Sequence, residues 1–472
     1  MSGELHPSWQ HQLTGRAFAR ETWEAGHPGV MLNMWMGSGK TKLAIDLIHD
    51  VGADKALVVC PMPIVAVWDY QLEQHANFPY LFRGLDEHAG SVANKTRIAR
   101  DAIAQARIGG QVCILAINYE ATYLQPFAGL VMNTAWPLII ADEVHRLKSP
   151  SGKLSRFMGR LALRARRRLG LTGTALPHSP LDIWGQYRFL DPSIYDETYF
   201  SFKTRYAEWG GYQNRQVKKW RDMDDFHRRF YRIAFRVTKE EALPDLPPEM
   251  DQVLYTDLSL RGRHVYDQLE NEFIAWLDTA PESEITIANA LVLYLRLQQL
   301  TGGTLKDNAG NLHPIDDAKE KLLTDWLEDL DPAEPAVIFA RFRFDLDAIA
   351  RACQRAGHTC VEISGRSKDG ITAWQAGAAN ILAAQISIAS EGQDLTRARY
   401  AVYYSVGWKL SDYVQSRARI HRPGQTRPVV YYHLLIRRSI DIIVQHALEN
   451  RWDLVESVLK EMRQHATQPV NR

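Results

Sequence analysis

The 472-residue chain is 46% hydrophobic and 24% charged, with 56 Lys+Arg against 55 Asp+Glu. This is the balance of a globular protein with ample core, long enough for two or three domains, and no low-complexity segment or internal repeat is legible along it. Because the charges nearly cancel, a nucleic-acid role has to come from local patches rather than from net charge.

The four cysteines, Cys60, Cys113, Cys353 and Cys360, form no C-x-x-C pair. That argues against a zinc site and for buried thiols in a reducing compartment. No apolar run approaches the ~20 residues of a membrane span, and the opening MSGELHPSWQHQ is not a signal peptide. A cytoplasmic protein is expected.

Taken in order, residues 5–20 predict an amphipathic helix entered through Pro7, with Gln12, Gly15 and Phe18 on one side. A glutamine here could read an adenine edge, or simply face solvent. Next, VMLNMWMGSGKT (30–41) is an apolar strand running into a glycine turn and a helix. Gly37 and Gly39 leave backbone N–H groups free to turn round a phosphate, and Ser38 lies between them. The following helix presents its positive dipole end to the same place. Lys40 can reach β/γ-phosphates and Thr41 can ligate Mg²⁺. The pattern departs from the full P-loop at Met34, where glycine is expected.

Ala56–Cys60 predicts a buried strand stopped by Pro61, then a helix with Val67, Trp68, Gln71 and Leu72 on one face. Val112–Ile117 is another strand. Leu138–Ala141 predicts a buried strand ending in the carboxylates Asp142 and Glu143. Such a pair suits a metal-bound nucleotide, one carboxylate for Mg²⁺ and one for the attacking water; it could instead cap a helix. Residues 151–170 carry seven Lys/Arg and no Asp/Glu, and Arg168–Ala175 is a further strand. Strands alternating with helices imply a parallel sheet.

From about Pro192 the strand rhythm stops. Residues 201–240 hold eleven Lys/Arg and five Asp/Glu among Trp209, Tyr212, Trp220, Phe226, Phe230 and Tyr231. Lys218, Lys219 and Trp220 sit in the densest part, which suits a phosphate-tracking surface or a solvated face over a small helical core. Pro244, Pro247 and Pro248 mark a linker. Helical spacing returns over 259–300, with Tyr266, Leu269, Phe273, Trp276 and Leu277 as a core stripe, and 302–316 reads as a loop or hairpin. A second α/β unit starts near Asp317, with strands at 336–340, 360–363, 400–404 and 429–435.

Several of these segments agree in order with one family. MGSGKT, DEVHRLKSP, LTGTALPHSPLDIWGQYRFLDP, RVTKEEALPDLPPE and QSRARIHRPGQ resemble the motifs of Swi/Snf-type, DEAH-motif superfamily 2 helicase-like ATPases, from about Leu5 to Leu448. The segment ASEGQDL keeps Gly392 but departs from the usual motif V, and YSVGWKL retains only Trp408 of its counterpart. This suggests a compact bacterial or phage branch. No reader module is legible, so nucleosome remodelling is not supported.

The resemblance implies an α/β fold of two tandem RecA-like lobes with parallel sheets and helical insertions between them. The expected organisation is lobe 1 over 1–192, a basic–aromatic helical insertion over 193–243, a linker over 244–258, a helical insertion over 259–316, lobe 2 over 317–450 and a C-terminal helix over 451–472. Gln12, Gly37, Ser38, Gly39, Lys40, Thr41 and Gly392 would hold ATP, with Asp142 and Thr41 on Mg²⁺ and Glu143 aligning water. Arg419 and Arg422, three apart and so expected on one helix face, would act on the γ-phosphate on closure. His145, Thr172, Thr174 and Gln415 would couple the nucleotide to the nucleic acid. The leading expectation is a monomeric, DNA-dependent ATPase moving along double-stranded or branched DNA. A strand-separating DNA or RNA helicase, and a nucleotide-gated binding module without turnover, are the alternatives.

Overall fold

The computed structural model describes residues 8–173, 175, 179–195, 198–210, 216–279, 287–307, 310–367, 369–389, 393–407 and 409–449. The chain divides into two compact units, Met1–Pro244 and Asp245–Arg472.

The first unit contains β1 (Gly29–Met34), β2 (Lys55–Cys60), β3 (Tyr80–Leu85), β4 (Val112–Asn118), β5 (Trp136–Asp142) and β6 (Ala165–Thr172). It also contains β7 (Ala207–Gly210), β8 (Gln216–Trp220) and β9 (Ala234–Val237). Seven of these form one sheet in the order β3-β4-β2-β5-β6-β1-β9, every pair parallel. Helices cover both faces, so the central strands read as unbroken apolar runs rather than alternating ones. Leu57 and Val59 of β2 enter one core layer, while Ala56, Val58 and Cys60 enter the other. Each fully buried aliphatic side chain of this kind contributes about 1.5–3 kcal/mol.

The second unit contains β10 (Glu249–Thr256), β11 (Thr304–Lys306), β12 (Leu312–Pro314), β13 (Ala336–Ala340), β14 (Cys360–Ile363), β15 (Ile381–Gln385), β16 (Tyr400–Tyr403) and β17 (Val429–Ile436). Its main sheet runs β10-β17-β16-β13-β15-β14, again all parallel. The chain therefore has the expected α/β architecture of two parallel-sheet lobes.

Two readings of the sequence are corrected. Residues 249–256 lie within the expected linker, yet they pair along all eight positions with β17. EMDQVLYT has neither a strict alternation nor a long apolar run, and as an edge strand none of its residues is fully buried. The insertion over 193–243 is not helical throughout. Its basic stretch is an antiparallel hairpin, β7–β8, and β9 joins the main sheet beside β1. The strand β3 was not legible, because YLFRGL at the sheet edge carries too little apolar periodicity. Residues 302–316 do form the β11–β12 hairpin, although Asn308 and Ala309 lie outside the described residues, as do 451–472. Tyr266 and Leu269 join the core as expected; Phe273, Trp276 and Leu277 lie outside the described side chains.

Three cysteines are buried and Cys360 is half-buried, all as free thiols, and burial pushes the Cys113 thiol up to about 11. Among the described residues no helix is long and apolar enough to cross a membrane.

The second unit buries charge as well as apolar surface. Lys319 Nζ donates to Asp441 Oδ2 at 2.6 Å, and Thr301 Oγ1 donates to Asp441 Oδ1 at 2.8 Å. Asp345 is fully buried and accepts from Ser405 Oγ. Burial pushes its carboxyl up to about 7, against about 3.9 for an ordinary aspartate. The folded unit thus holds this proton more tightly than the unfolded chain does. Its contribution is full below pH ~4 and is lost as pH rises through ~7. Asp345→Asn removes the charge and keeps an acceptor for Ser405. Native-state hydrogen exchange at β13 should then show greater protection than wild type at pH 8, with the advantage shrinking towards pH 5. An advantage independent of pH would contradict the role of the buried carboxylate.

Candidate functional site

In a parallel sheet with helical crossovers, groups at the carboxyl ends of neighbouring strands converge. Here β6 lies between β5 and β1, with Asn33 opposite Thr172 and Asp142 opposite Leu171. The Trp35–Gly39 loop, Asp142–Glu143 and Thr172 are therefore brought to one edge.

The loop turns on two left-handed glycines, Gly37 at φ 79° and Gly39 at φ 77°. Gly39 is also the N-cap of the helix Lys40–Asp50, and a Cβ there would meet Gln12 Nε2 at 2.0 Å. Ser38 Oγ closes the turn by donating to Trp35 O at 2.6 Å. Lys40 Nζ donates to Met34 O and Trp35 O at 3.0 and 3.1 Å. Thr41 is half-buried in the first helical turn.

Gln12 is nearly fully buried on the helix Gln10–Glu24. Its carbonyl accepts from Trp9 N at 2.8 Å, and its Nε2 donates to Ser38 O and Gly39 O at 3.4 and 3.3 Å. A buried amide must satisfy both ends, and here it does so on the phosphate-type loop itself. His11 Nε2 adds a bond to Ser38 O at 2.8 Å.

Asp142 ends β5 almost fully buried. Its Oδ2 accepts from Trp68 Nε1 at 3.0 Å, and its carbonyl accepts from Tyr119 Oη at 2.8 Å. Burial, then the neighbouring Glu143 charge, push its carboxyl up to about 6; Trp68 and Lys40 pull the other way. The carboxylate is thus held dry, next to a lysine, in a state that favours a positive partner. Glu143 itself sits at φ 57°, in the left-handed region that non-glycine residues rarely adopt. His145 Nδ1 lies 3.2 Å from Glu143 Oε2 and 3.2 Å from Thr172 Oγ1. It joins the carboxylate turn to the end of β6. Thr174 and Gly392 lie outside the described residues.

The second unit carries Gln415 and Arg419 on the helix Leu410–Ile420. The expectation that Arg419 and Arg422 share a helix face is corrected. The helix ends at Ile420, the His421 cap has φ −93° and ψ 83°, and Arg422 lies in the turn beyond. Arg422 Nη1 stands 3.9 Å from Asp394 Oδ2, while Arg419 O accepts from Leu395 N at 3.0 Å. Pro423 explains the early stop, since residues before proline avoid the helical region.

In the hairpin, Lys218 and Lys219 are exposed and Trp220 is half-buried. The interleaved aromatics divide. Phe226 and Phe230 belong to a buried cluster with Tyr187, Tyr195, Phe202 and Tyr206, whereas Tyr231 is 44% exposed. Aromatic periodicity alone could not separate the two sets. Sequence reasoning also missed Tyr119 and the Trp68–Asp142 bond; the one local signal was a tryptophan on the apolar face after Pro61. Among the described residues no His/Cys/Asp/Glu cluster forms a preassembled metal site.

Residues 11–302 match the SNF2-related domain, and residues 318–424 match the helicase conserved C-terminal domain. The chain is 24% identical to protein p41 of Acyrthosiphon pisum secondary endosymbiont phage 1, covering 91% of this chain and 95% of that one. It is 23% identical to the CHD3-type chromatin-remodeling factor PICKLE of Arabidopsis thaliana, covering 100% of this chain but 35% of that one. The DNA annealing helicase and endonuclease ZRANB3 of Mus musculus is 24% identical, with 90% and 38% covered. The chain thus spans nearly all of the phage relative and little more than a third of the two eukaryotic ones. A solved Sulfolobus solfataricus SWI2/SNF2 ATPase core in complex with dsDNA aligns over 97% of both chains at 19% identity, with a TM-score of 0.45, too low to carry an argument. The family match spans more than half of the sequence and includes the whole glycine loop and carboxylate edge, so the chain belongs to the SNF2-related domain family.

Proposed function

We propose that this chain is a helicase-like ATP hydrolase, stimulated by DNA, that couples hydrolysis to translocation along double-stranded DNA. The observation that carries the reading is the meeting of the Gly37–Lys40 loop with Asp142 and Glu143 at one sheet edge. Relatives named as a DNA annealing helicase and as a chromatin-remodeling factor support DNA as the partner.

The residues suit a nucleotide with Mg²⁺. The loop ends at a helix N-terminus, which favours an anion, and Asp142 is a buried carboxylate next to Lys40. Thr41 and Asp142 would hold Mg²⁺, which would offset charge on the phosphate oxygens. Lys40 would leave the carbonyls of Met34 and Trp35 for the phosphates, keeping the loop closed until nucleotide arrives. Glu143 would orient water for attack on the γ-phosphorus and take its proton, with ADP leaving. Gln12 is bonded to the loop rather than free to read a base, so we assign it to supporting the loop from the adenine side. His145 and Thr172 would transmit the state of Glu143 to β6, and Gln415 would serve the same coupling from the second unit. Arg419 and Arg422 would stabilise charge on the transferred phosphoryl group in the reacting state, each with a planar fork that lysine lacks.

Lys40→Ala should weaken nucleotide binding in a fluorescence titration. Glu143→Gln should bind ATP normally but turn it over slower by on the order of 10²-fold or more. Undiminished turnover in Glu143→Gln would remove it from the reaction.

Arg419→Lys and Arg422→Lys should each lower DNA-stimulated turnover by on the order of 10²-fold, with ATP affinity largely retained. Equal losses in affinity and turnover would place them in ground-state binding instead.

Reversing both Lys218 and Lys219 to Glu should raise the duplex DNA concentration for half-maximal ATPase stimulation, most at low salt, with the difference narrowing as salt rises. Both side chains are exposed, so the fold should survive. An unmoved curve would leave the hairpin as a solvated face.

A further inference from the structure

The arginine segment QSRARIHR contains a third arginine, Arg417, to which none of the roles above falls. Its surroundings are unlike those of a residue waiting for phosphate. Its Nη1 bonds to Asp251 Oδ1 on β10, and its Nη2 donates to Asp251 Oδ2 at 2.9 Å. Nη1 also donates to Tyr413 Oη at 3.0 Å, and the guanidinium lies 3.9 Å from the Tyr431 ring centre. The Arg417 carbonyl in turn accepts from Tyr431 Oη at 3.0 Å. A forked pair on a carboxylate plus an aromatic face accounts for most of what a guanidinium can offer.

Asp251 is held from a second side. His433 Nε2 lies 3.1 Å from its Oδ1, and the His433 ring stacks on Tyr403 with centroids 5.0 Å apart. Burial alone would raise the Asp251 carboxyl, but His433 and Arg417 hold it well below the usual carboxylate range. Four residues after Arg417, the helix cap repeats the attachment: His421 Nε2 donates to Pro247 O at 2.5 Å. The C-terminal turn that carries Arg419 is thus tied at both ends to residues 247–251. On a helix of 3.6 residues per turn, Arg419 points roughly 200° away from Arg417. The anchor and Arg419 therefore occupy opposite sides of one turn.

We propose that Arg417 and Asp251 are positioning residues, which lock the arginine-bearing turn to the strand by which the chain enters its second unit and so set the aim of Arg419. This rests on the reading of Arg419 as a phosphate-acting group. It gives β10 a task beyond sheet formation: a displacement of the entry strand carries the arginines with it. Misplacing a reacting group by about 1 Å can slow a step by on the order of 10²-fold, so the anchor need only shift Arg419 slightly to be felt.

The test is DNA-stimulated turnover of Arg417→Ala and Asp251→Asn in the full chain, each alone and combined with Arg419→Lys. Stoichiometric nucleotide titration gives the active fraction. Each single variant should lose roughly tenfold or more in kcat with KM for ATP unchanged, and Arg417→Lys should recover part of the loss. In the Arg419→Lys background the same changes should cost less than about twofold, because there is no longer a fork to aim. Equal fold losses in both backgrounds would mean a merely structural pair and would overturn the inference. A crippled Arg419→Lys beside undiminished Arg417→Ala and Asp251→Asn would overturn it alone. Full turnover in Arg419→Lys would overturn both it and the reading of Arg419. Asp251 is 44% exposed at its side chain, so its amide variant is a folded control for the more disruptive Arg417→Ala.

Discussion

Everything in the first unit's site depends on the parallel register of three strands. Because β5, β6 and β1 run the same way and each neighbouring pair ends within a residue, their carboxyl termini form one edge. The glycine loop leaves that edge from β1, the two carboxylates from β5 and Thr172 from β6. A one-residue slip of any strand would turn its side chains to the other face. Met31, Ile139 and Ala141 fill the buried layer on one side and Leu32, Ile140 and Leu171 that on the other, so such a slip would misfit both layers.

Within that frame, polar groups hold one another where water is absent. Lys40 bonds to carbonyls of its own loop, Gln12 bonds to the same loop from a separate helix, and Trp68 steadies Asp142. Each places a donor on an acceptor of the loop or of the strand end, and leaving a buried partner of such a bond unsatisfied costs roughly 1–3 kcal/mol. The left-handed backbone of Glu143 is tolerated because the flanking Asp142 and Val144 are buried. Its side chain is then aimed beside His145 rather than along the strand.

The second unit uses charge differently. Lys319–Asp441 and Arg417–Asp251 each fasten elements distant in sequence; the first pair is buried, so breaking one of its partners is strongly destabilising, whereas Asp251 keeps part of its side chain in solvent. The arginine-bearing turn is held by a fork, a ring face and a histidine cap at once. Redundant attachment of this kind is what keeps a helix end, ordinarily prone to fraying, in one place.

The sequence by itself determined the two α/β units, the glycine loop, the carboxylate pair and the run of arginines. Those are local: a buried parallel strand is an apolar run, a left-handed turn favours glycine, and the motifs are contiguous. Tertiary structure decided which side chains meet. Trp68 finds Asp142 across 74 residues, and Arg417 finds Asp251 across 166. It also moved Glu249–Thr256 from linker to sheet, and it separated buried Phe226 from exposed Lys218 in one basic–aromatic stretch. An edge strand or a long-range ion pair leaves no periodic mark on its own segment, because its stability comes from the partner it docks against.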